Sequence, residues 1–104
     1  MDWRVGLSEK AELDLEHVVA FLARKNPAAA ERLGLKLVET IFSLQQLPLR
    51  GVAVRGRPGY RRILHWPWFL IFYRINETRQ SIEIVRIWDS RQDPAMFALA
   101  RKPG

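Results

Sequence analysis

Residues 68–75 read WFLIFYRI, an almost wholly apolar run that decides the fold. A run of apolar, β-branched and aromatic residues of this length is typical of a strand buried on both faces, so we expect it to be the centre of a sheet. Two more strand patterns flank it, Tyr60–His65 before a proline break and Ser81–Trp88 after the polar segment 76–80. Because short turns join these three strands, we predict that they pair antiparallel.

Two helices are predicted ahead of these strands. The first follows Ser8, a good N-cap, and its apolar residues recur at helical spacing to near Arg24. Asn26 is the N-cap of the second helix, and Pro27 fits its first position, where the missing N–H costs nothing. The second helix is expected to run to about Leu47, and so short a connection between the helices makes them an antiparallel hairpin.

A short first strand, Trp3–Leu7, precedes the helices, which gives the order β-α-α-β-β-β. The Pro- and Gly-rich loop 48–60 leaves room for an additional irregular strand around Val52–Arg55. Helices grouped ahead of a strand meander predict an α+β domain, with the antiparallel helical hairpin packed on one face of an antiparallel sheet. The other face must then be covered or functional. We expect residues 1–104 to form one domain, with 94–104 as a C-terminal tail.

Composition excludes several classes of site. The 104 residues contain no cysteine, which rules out disulfides, thiolate metal sites and cysteine nucleophiles. His17 and His65 are distant in the sequence without metal-ligand spacing, so we expect neither a metal nor a cofactor. No apolar run approaches the ~18 residues that a membrane span needs, and no signal peptide is visible. The sequence therefore predicts a cytoplasmic protein without a membrane partner.

The net charge of +6 is concentrated in one segment. Residues 40–76 contain six arginines and no carboxylate, whereas the flanking segments are nearly balanced. Arginine forks suit phosphates and carboxylates alike, so this segment predicts contact with nucleic acid or with an acidic protein. A solvated basic surface without a partner is the alternative.

Four motifs in the same order resemble the RelE/ParE toxins, over roughly residues 3–94. They are Asn26–Ala30 (NPAAA), Gly59–Arg62 (GYRR), Leu70–Ile75 (LIFYRI) and Ile84–Pro94 (IVRIWDSRQDP). The resemblance implies a plasmid-stabilisation-like toxin of a type II toxin–antitoxin system, held in a hetero-oligomer by a cognate antitoxin. RelE-type members cleave messenger RNA on the ribosome, and ParE-type members poison DNA gyrase. The fold alone does not choose between these targets.

Metal-free RNA cleavage needs groups that stabilise phosphate charge and groups that transfer protons. In the ribonuclease members, basic residues on the sheet bind the phosphate. The arginines on or beside the predicted strands are the candidates here, although strand alternation prevents all of them from sharing one face. They are Arg61, Arg62, Arg74, Arg86 and Arg91. The alternative is that Arg74 and Arg86 are surface residues paired with Glu83 or Asp89.

The proton-transfer groups of the ribonucleases are poorly represented. Asp89 stands where many family members carry a histidine, and Phe97 is the aromatic nearest to the position of a tyrosine in some of them. His65 is the remaining candidate base, since nearby arginines would favour its neutral form, although a structural role is favoured. His17 is expected to be a partly buried packing residue. At least two of Trp66, Trp68 and Trp88 are expected to fill the core between sheet and helices.

Three hypotheses follow. The one we favour is a ParE-like toxin that binds DNA gyrase and catalyses nothing. The second is a RelE-like ribosome-dependent ribonuclease using the arginines with His65 or Asp89, and the third is a non-toxic binding module on the same fold. In each toxin hypothesis the basic residues after the second helix are expected to bind the antitoxin or the target. These residues are Arg50, Arg55, Arg57, Arg61 and Arg62.

Overall fold

The computed structural model describes residues 3–92. Phe97 and the tail expected at residues 94–104 lie outside the described residues. The elements in chain order are β1 (Arg4–Leu7), α1 (Glu9–Ala23), α2 (Pro27–Phe42), a 3₁₀ turn (Ser43–Gln45), β2 (Val52–Ala53), β3 (Tyr60–His65), β4 (Phe69–Asn76) and β5 (Ser81–Asp89). No helix within this part of the chain is both long and apolar enough to cross a bilayer.

Both helices begin at the predicted caps. The Ser8 hydroxyl accepts the backbone N–H of Ala11 at 3.0 Å, and Asn26 Oδ1 accepts that of Ala29 at 3.1 Å. Each bond satisfies one of the N–H groups that a helix leaves unpaired at its first turn. Pro27 occupies the first helical position, as the sequence predicts.

The second helix ends earlier than expected. Regular α-helix stops at Phe42 rather than near Leu47, and the chain continues as the 3₁₀ turn. The Ser43 hydroxyl donates to the carbonyl of Thr40 at 2.6 Å, and the Gln46 N–H bonds to the Ser43 carbonyl. These bonds tighten the last turn and satisfy carbonyls that the helix leaves open.

The sheet has the strand order β1-β5-β4-β3-β2. The meander β2 to β5 is antiparallel throughout, whereas β1 pairs parallel to β5. The apolar strand β4 is central, as predicted, and β2 is a strand of two residues at the edge. The sequence did not predict the placement of β1, which crosses to the far side of the sheet through the helical hairpin.

The helical hairpin packs on one face of this sheet, and the α+β class predicted from the sequence is confirmed. The core joins Leu37 and Ile41 of α2 to alternate residues of β4 and β5. A register shift pairs Phe72 with Arg86 but Tyr73 with Ile84, so Val85 is an extra residue in β5. Side chains on the helix side define the inner face, and their strand neighbours define the outer face.

The tryptophans are distributed differently from the expectation. Trp68 packs against the core, but Trp66 is 81% exposed. Trp88 is buried, yet it alternates with the core residue Ile87 and pairs with Leu70, which places it on the outer face. One of the three tryptophans, rather than two, therefore fills the space between sheet and helices. Period-two alternation explains the difference, because the apolar character of a strand residue does not fix its face.

Candidate functional site

Arg61 and Arg62 point to opposite faces of the sheet. Arg61 pairs with Tyr73 on the inner face, and its Nη1 donates to the carbonyl oxygens of Gly51 at 2.6 Å and Leu49 at 3.4 Å. Arg62 pairs with Val52 and Phe72 on the outer face and is exposed. Arg61 therefore holds the loop after α2, while Arg62 presents its charge to solvent.

The loop that Arg61 holds is also fixed by hydrogen bonds to the side chain of Tyr73. The buried Tyr73 hydroxyl donates to the Pro48 carbonyl and accepts the Gly51 N–H, both at 2.8 Å. Burial raises the pKa of Tyr73, the main effect, although the Gly51 bond and the charges of Arg61 and Arg50 oppose it. A Cβ at Gly51 would lie 2.7 Å from both the Tyr73 hydroxyl and the Arg62 carbonyl, so only glycine fits there.

Two of the predicted phosphate-binding arginines are engaged by carboxylates on the sheet or on α1. Arg74 Nη2 lies 3.0 Å from Glu83 Oε1 in an exposed pair, as the structural alternative proposed. Arg86 does not pair with Glu83 or Asp89: its Nε lies 2.7 Å from Oδ2 of Asp14 on α1. Both side chains of this second pair are only 11% exposed. The sequence pointed to no partner on α1, because Asp14 is 72 residues away along the chain.

The third arginine, Arg91, forms a closed unit with Asp89 and Trp68. Its Nη2 and Nε donate to the two carboxylate oxygens of Asp89 at 2.6 and 3.0 Å. Its guanidinium carbon lies 3.9 Å from the centroid of the Trp68 ring. The hydrogen bonds from Arg91 outweigh burial and lower the pKa of Asp89, so this carboxyl is ionised at neutral pH.

His65 lies on the inner side of the sheet end, between β3 and α2. Its Nδ1 lies 3.1 Å from the Thr40 hydroxyl oxygen. Burial lowers the pKa of His65, and the charges of Lys36 and Arg50 add to the effect. The imidazole is therefore neutral at pH 7, as expected, but it lies on the face opposite to Arg62 and Arg74.

His17 is exposed rather than partly buried, which corrects the sequence interpretation. It lines an open groove of about 870 Å³ between the end of α1 and the ends of β4 and β5. Phe21 and Trp68 line the same groove, and the Nε1 of Trp68 is buried without a hydrogen-bond partner among the described residues. No group of three or more His, Asp or Glu side chains in residues 3–92 is placed to hold a metal ion.

The basic residues after α2 divide into exposed and engaged groups. Arg50, Arg55 and Arg62 are exposed, and Arg50 donates to the Ser43 hydroxyl at 2.6 Å. Arg57 lies over the ring of Tyr60, and with Arg61 it lines a shallow cavity of about 320 Å³. The structure thus brings Arg57 and Arg61 together and leaves Arg62 on the other face of the sheet.

Sequence reasoning missed a set of exposed apolar side chains near Arg62. Val52 is cross-strand from Arg62, and Leu64 is two residues further along β3 on the same face. Val52, Leu64 and Trp66 are 65%, 56% and 81% exposed. A signal was present, because Leu64 alternates with the core residue Ile63, but an apolar residue in a strand is normally assigned to the core.

Comparison with known proteins identifies the family. A family model described as the ParE toxin of type II toxin–antitoxin system, parDE, matches residues 5–94. The chain belongs to the ParE toxin family. Its similarity extends to Toxin RelE1 of Caulobacter vibrioides, which is 32% identical over 91 residues covering 85% of this chain and 94% of that protein. The chain is therefore the toxin of a type II toxin–antitoxin system.

Solved structures of family members share the fold. The chromosomal ParDE toxin–antitoxin system from P. aeruginosa matches with a TM-score of 0.69 at 25% identity, over 82% of this chain and 92% of that one. The toxin–antitoxin complex RelBE2 from Mycobacterium tuberculosis matches with a TM-score of 0.64 at 24% identity, over 86% and 92%. Both ParE and RelE names occur among these relatives, so membership of the family does not select the cellular target.

Proposed function

We propose that this toxin acts by binding a protein target, DNA gyrase, and that it performs no chemistry of its own. The observation that carries the proposal is the state of the sheet arginines. Arg74, Arg86 and Arg91 each form an ion pair with a carboxylate of the chain itself. A ribonuclease needs such side chains for the phosphate, and each existing ion pair would have to be broken to supply one.

The two candidates for proton transfer support the same conclusion. Asp89 is held ionised by Arg91, and its lowered pKa makes it a poor acid at neutral pH. His65 is neutral and would suit a base, but it lies beside Thr40 and on the opposite face from Arg62. His65 and Asp89 both flank Phe69 on the inner face, but the ionised Asp89 supplies no general acid to act with the neutral His65.

We also propose a cognate antitoxin as partner, with residues 1–104 acting as one cytoplasmic toxin domain. The RelBE2 structure is a toxin–antitoxin complex, which supports a hetero-oligomer for this chain. Charge complementarity favours binding of an acidic antitoxin segment to the basic residues after α2. Arg50, Arg55 and Arg62 are the exposed members of the predicted set. Arg57 and Arg61 would shape the adjoining surface, since Arg61 holds the loop.

The test is expression of the chain alone in bacterial cells. Growth, transcript integrity and gyrase-dependent DNA breaks are followed in the same culture. Growth arrest with DNA breaks and intact transcripts is the expected result. Cut transcripts with intact DNA would replace the proposal by the ribonuclease function and make the sheet arginines its active site.

A further inference from the structure

On the outer face of the sheet, the apolar side chain of β5 is buried and that of β3 is exposed to solvent, so the half of this face over β3 is open. Leu64, Leu70 and Trp88 form one cross-strand row on this face. Their exposure falls along the row, from 56% for Leu64 through half-buried Leu70 to 8% for Trp88. In the next row, Arg62 is exposed but its neighbour Phe72 is buried. One half of this face is therefore left for contact with another molecule.

The open half carries an unusual density of exposed apolar groups. We define the outer strip as Val52, Arg62 and Leu64 of the open half, together with the exposed Trp66 that directly follows β3. A single exposed apolar side chain needs no explanation, but exposed Val52 and Leu64 on one face, with an exposed tryptophan directly after β3, indicate an interaction surface. Tryptophan and arginine are also the residues most enriched among those that dominate binding energy.

The backbone beside the strip is also available. β2 pairs with β3 only at Arg61 and Arg62, so no strand of the described chain lies beside residues 63–65 on that side. An unpaired strand edge presents N–H and C=O groups that another extended segment can bind. The strip therefore suits an extended segment of a partner better than a folded surface of it.

The charge around the strip identifies the chemistry of the partner. No carboxylate occurs between residues 40 and 76, so β2, β3 and β4 carry no acidic side chain to neutralise Arg62. An acidic partner would be attracted electrostatically to Arg62, and an apolar residue of that partner would cover Leu64 or Trp66. RNA fits less well, because the other outer-face arginines, Arg74 and Arg86, are already paired with carboxylates and two of the strip residues are aliphatic.

We propose that the outer strip is the surface through which this toxin engages its protein target, by binding an extended, acidic segment of that protein with Trp66 as the anchor. The inference rests on the proposed function, since it requires a protein target. The strip borders the proposed antitoxin surface, because Arg62 belongs to both and Val52 lies between Arg50 and Arg55. Leu64 and Trp66 lie beyond that surface and are specific to the target.

The test compares two double variants expressed in cells. Trp66→Ser with Leu64→Thr removes two apolar groups of the strip, and Phe21→Ser with Leu35→Thr removes an exposed aromatic and an exposed leucine on the helices. We expect the strip variant to need about thirtyfold more toxin to arrest growth, the effect of losing one dominant contact. Its melting temperature and its affinity for the antitoxin should match the wild type, and the helix variant should remain toxic.

Several outcomes would overturn the proposal. They are a strip variant as toxic as the wild type, an equal loss of toxicity in the helix variant, or a strip variant that loses antitoxin affinity as steeply as toxicity. A wild-type chain that cuts transcripts, while the strip variant does not, would assign the strip to RNA. Loss of toxicity in the strip variant with neither DNA breaks nor cut transcripts in the wild type would retain the strip and reject gyrase alone.

Discussion

Oδ2 of Asp14 accepts a hydrogen bond from Nε of Arg86 at 2.7 Å and thereby joins the middle of α1 to the second half of β5. The same Oδ2 accepts the backbone N–H of Ile87 at 3.0 Å. β1 pairs with β5 only as far as Ile84, so beyond that point the side chain of a helix takes over the edge of the strand. Asp14 thus provides a hydrogen-bond acceptor both for the side chain of Arg86 and for a backbone N–H at the edge of β5.

Asp14→Ala should lower the free energy of unfolding by about 3 kcal/mol, because it removes one partner from a largely buried ion pair. Glu83→Ala is the control, since it breaks the exposed pair with Arg74 and should cost less than about 1 kcal/mol. Urea denaturation of both variants measures the difference. Equal losses in the two variants would contradict the role of burial.

Tyr73→Phe should destabilise the protein by about 2 kcal/mol, because it leaves the Gly51 N–H and the Pro48 carbonyl without their shared hydroxyl. Tyr60→Phe is the matched control, as the Tyr60 hydroxyl makes no hydrogen bond within residues 3–92 and the change should cost less than about 0.5 kcal/mol. Thermal unfolding followed by circular dichroism compares them. A Tyr73→Phe protein as stable as the wild type would show that the loop after α2 is held by Arg61 alone.

Stability should decrease as the pH falls below 6.5, the unperturbed pKa of His65. The pKa of His65 is lowered in the folded protein, so the unfolded chain takes up its proton first and is favoured in this window. His65→Gln should reduce the slope between pH 7 and pH 5, whereas the exposed His17→Gln serves as the control. An unchanged slope in His65→Gln would assign the pH dependence to other groups.

His65→Ala and Asp89→Ala should each keep toxicity within about tenfold of the wild type, since neither is proposed to transfer a proton. A true acid or base contributes about 10²–10⁴ to a rate, so a loss beyond a hundredfold in a stably folded variant would favour the ribonuclease. The measurement is growth at graded induction, with toxin levels determined in parallel. Melting temperatures separate loss of function from loss of fold.

Arg50→Glu combined with Arg55→Glu should weaken the complex with the antitoxin and flatten its dependence on salt, because both arginines are exposed in the carboxylate-free segment. Arg24→Glu with Arg79→Glu makes the same change in net charge at exposed positions elsewhere. Titrations of each double variant with the antitoxin at low and high salt compare the two affinities. Arg61 is left intact, since its bonds to the loop carbonyls would confuse binding with folding. Affinity at low salt equal to that of the wild type would remove this surface from the antitoxin interface.

Much of the fold was predictable because its signals are local. Ser8 and Asn26 are capping residues with helical patterns behind them, and both helices begin there. The early end of α2 was not predictable, since it depends on the hydrogen bond that the Ser43 hydroxyl donates to the Thr40 carbonyl. The extra residue Val85 also changes which residues of β5 face the helices, and a strict alternation read from the sequence misses that change.

The candidate site was predictable in its residue types but not in their partners. Strand alternation separates Arg61 from Arg62, and the structure places them on opposite faces. The pairing of Arg86 with Asp14 joins residues far apart in the chain, so no local pattern contains it. The outer strip was missed for the same reason that Trp88 was misplaced: hydrophobicity indicates that a residue prefers burial, not which face of a sheet is covered.

The contrast between Trp66 and Trp88 gives the protein a built-in optical reporter. Trp66 is 81% exposed and Trp88 is 8% exposed, so a small quencher in solution reaches the first indole far more readily than the second. Any molecule that covers Trp66 would shield its emission and shift it towards the blue. Trp3 and Trp68 are half-buried, so the most readily quenched part of the fluorescence of the unlabelled chain comes from Trp66 and records whether this end of the sheet is occupied.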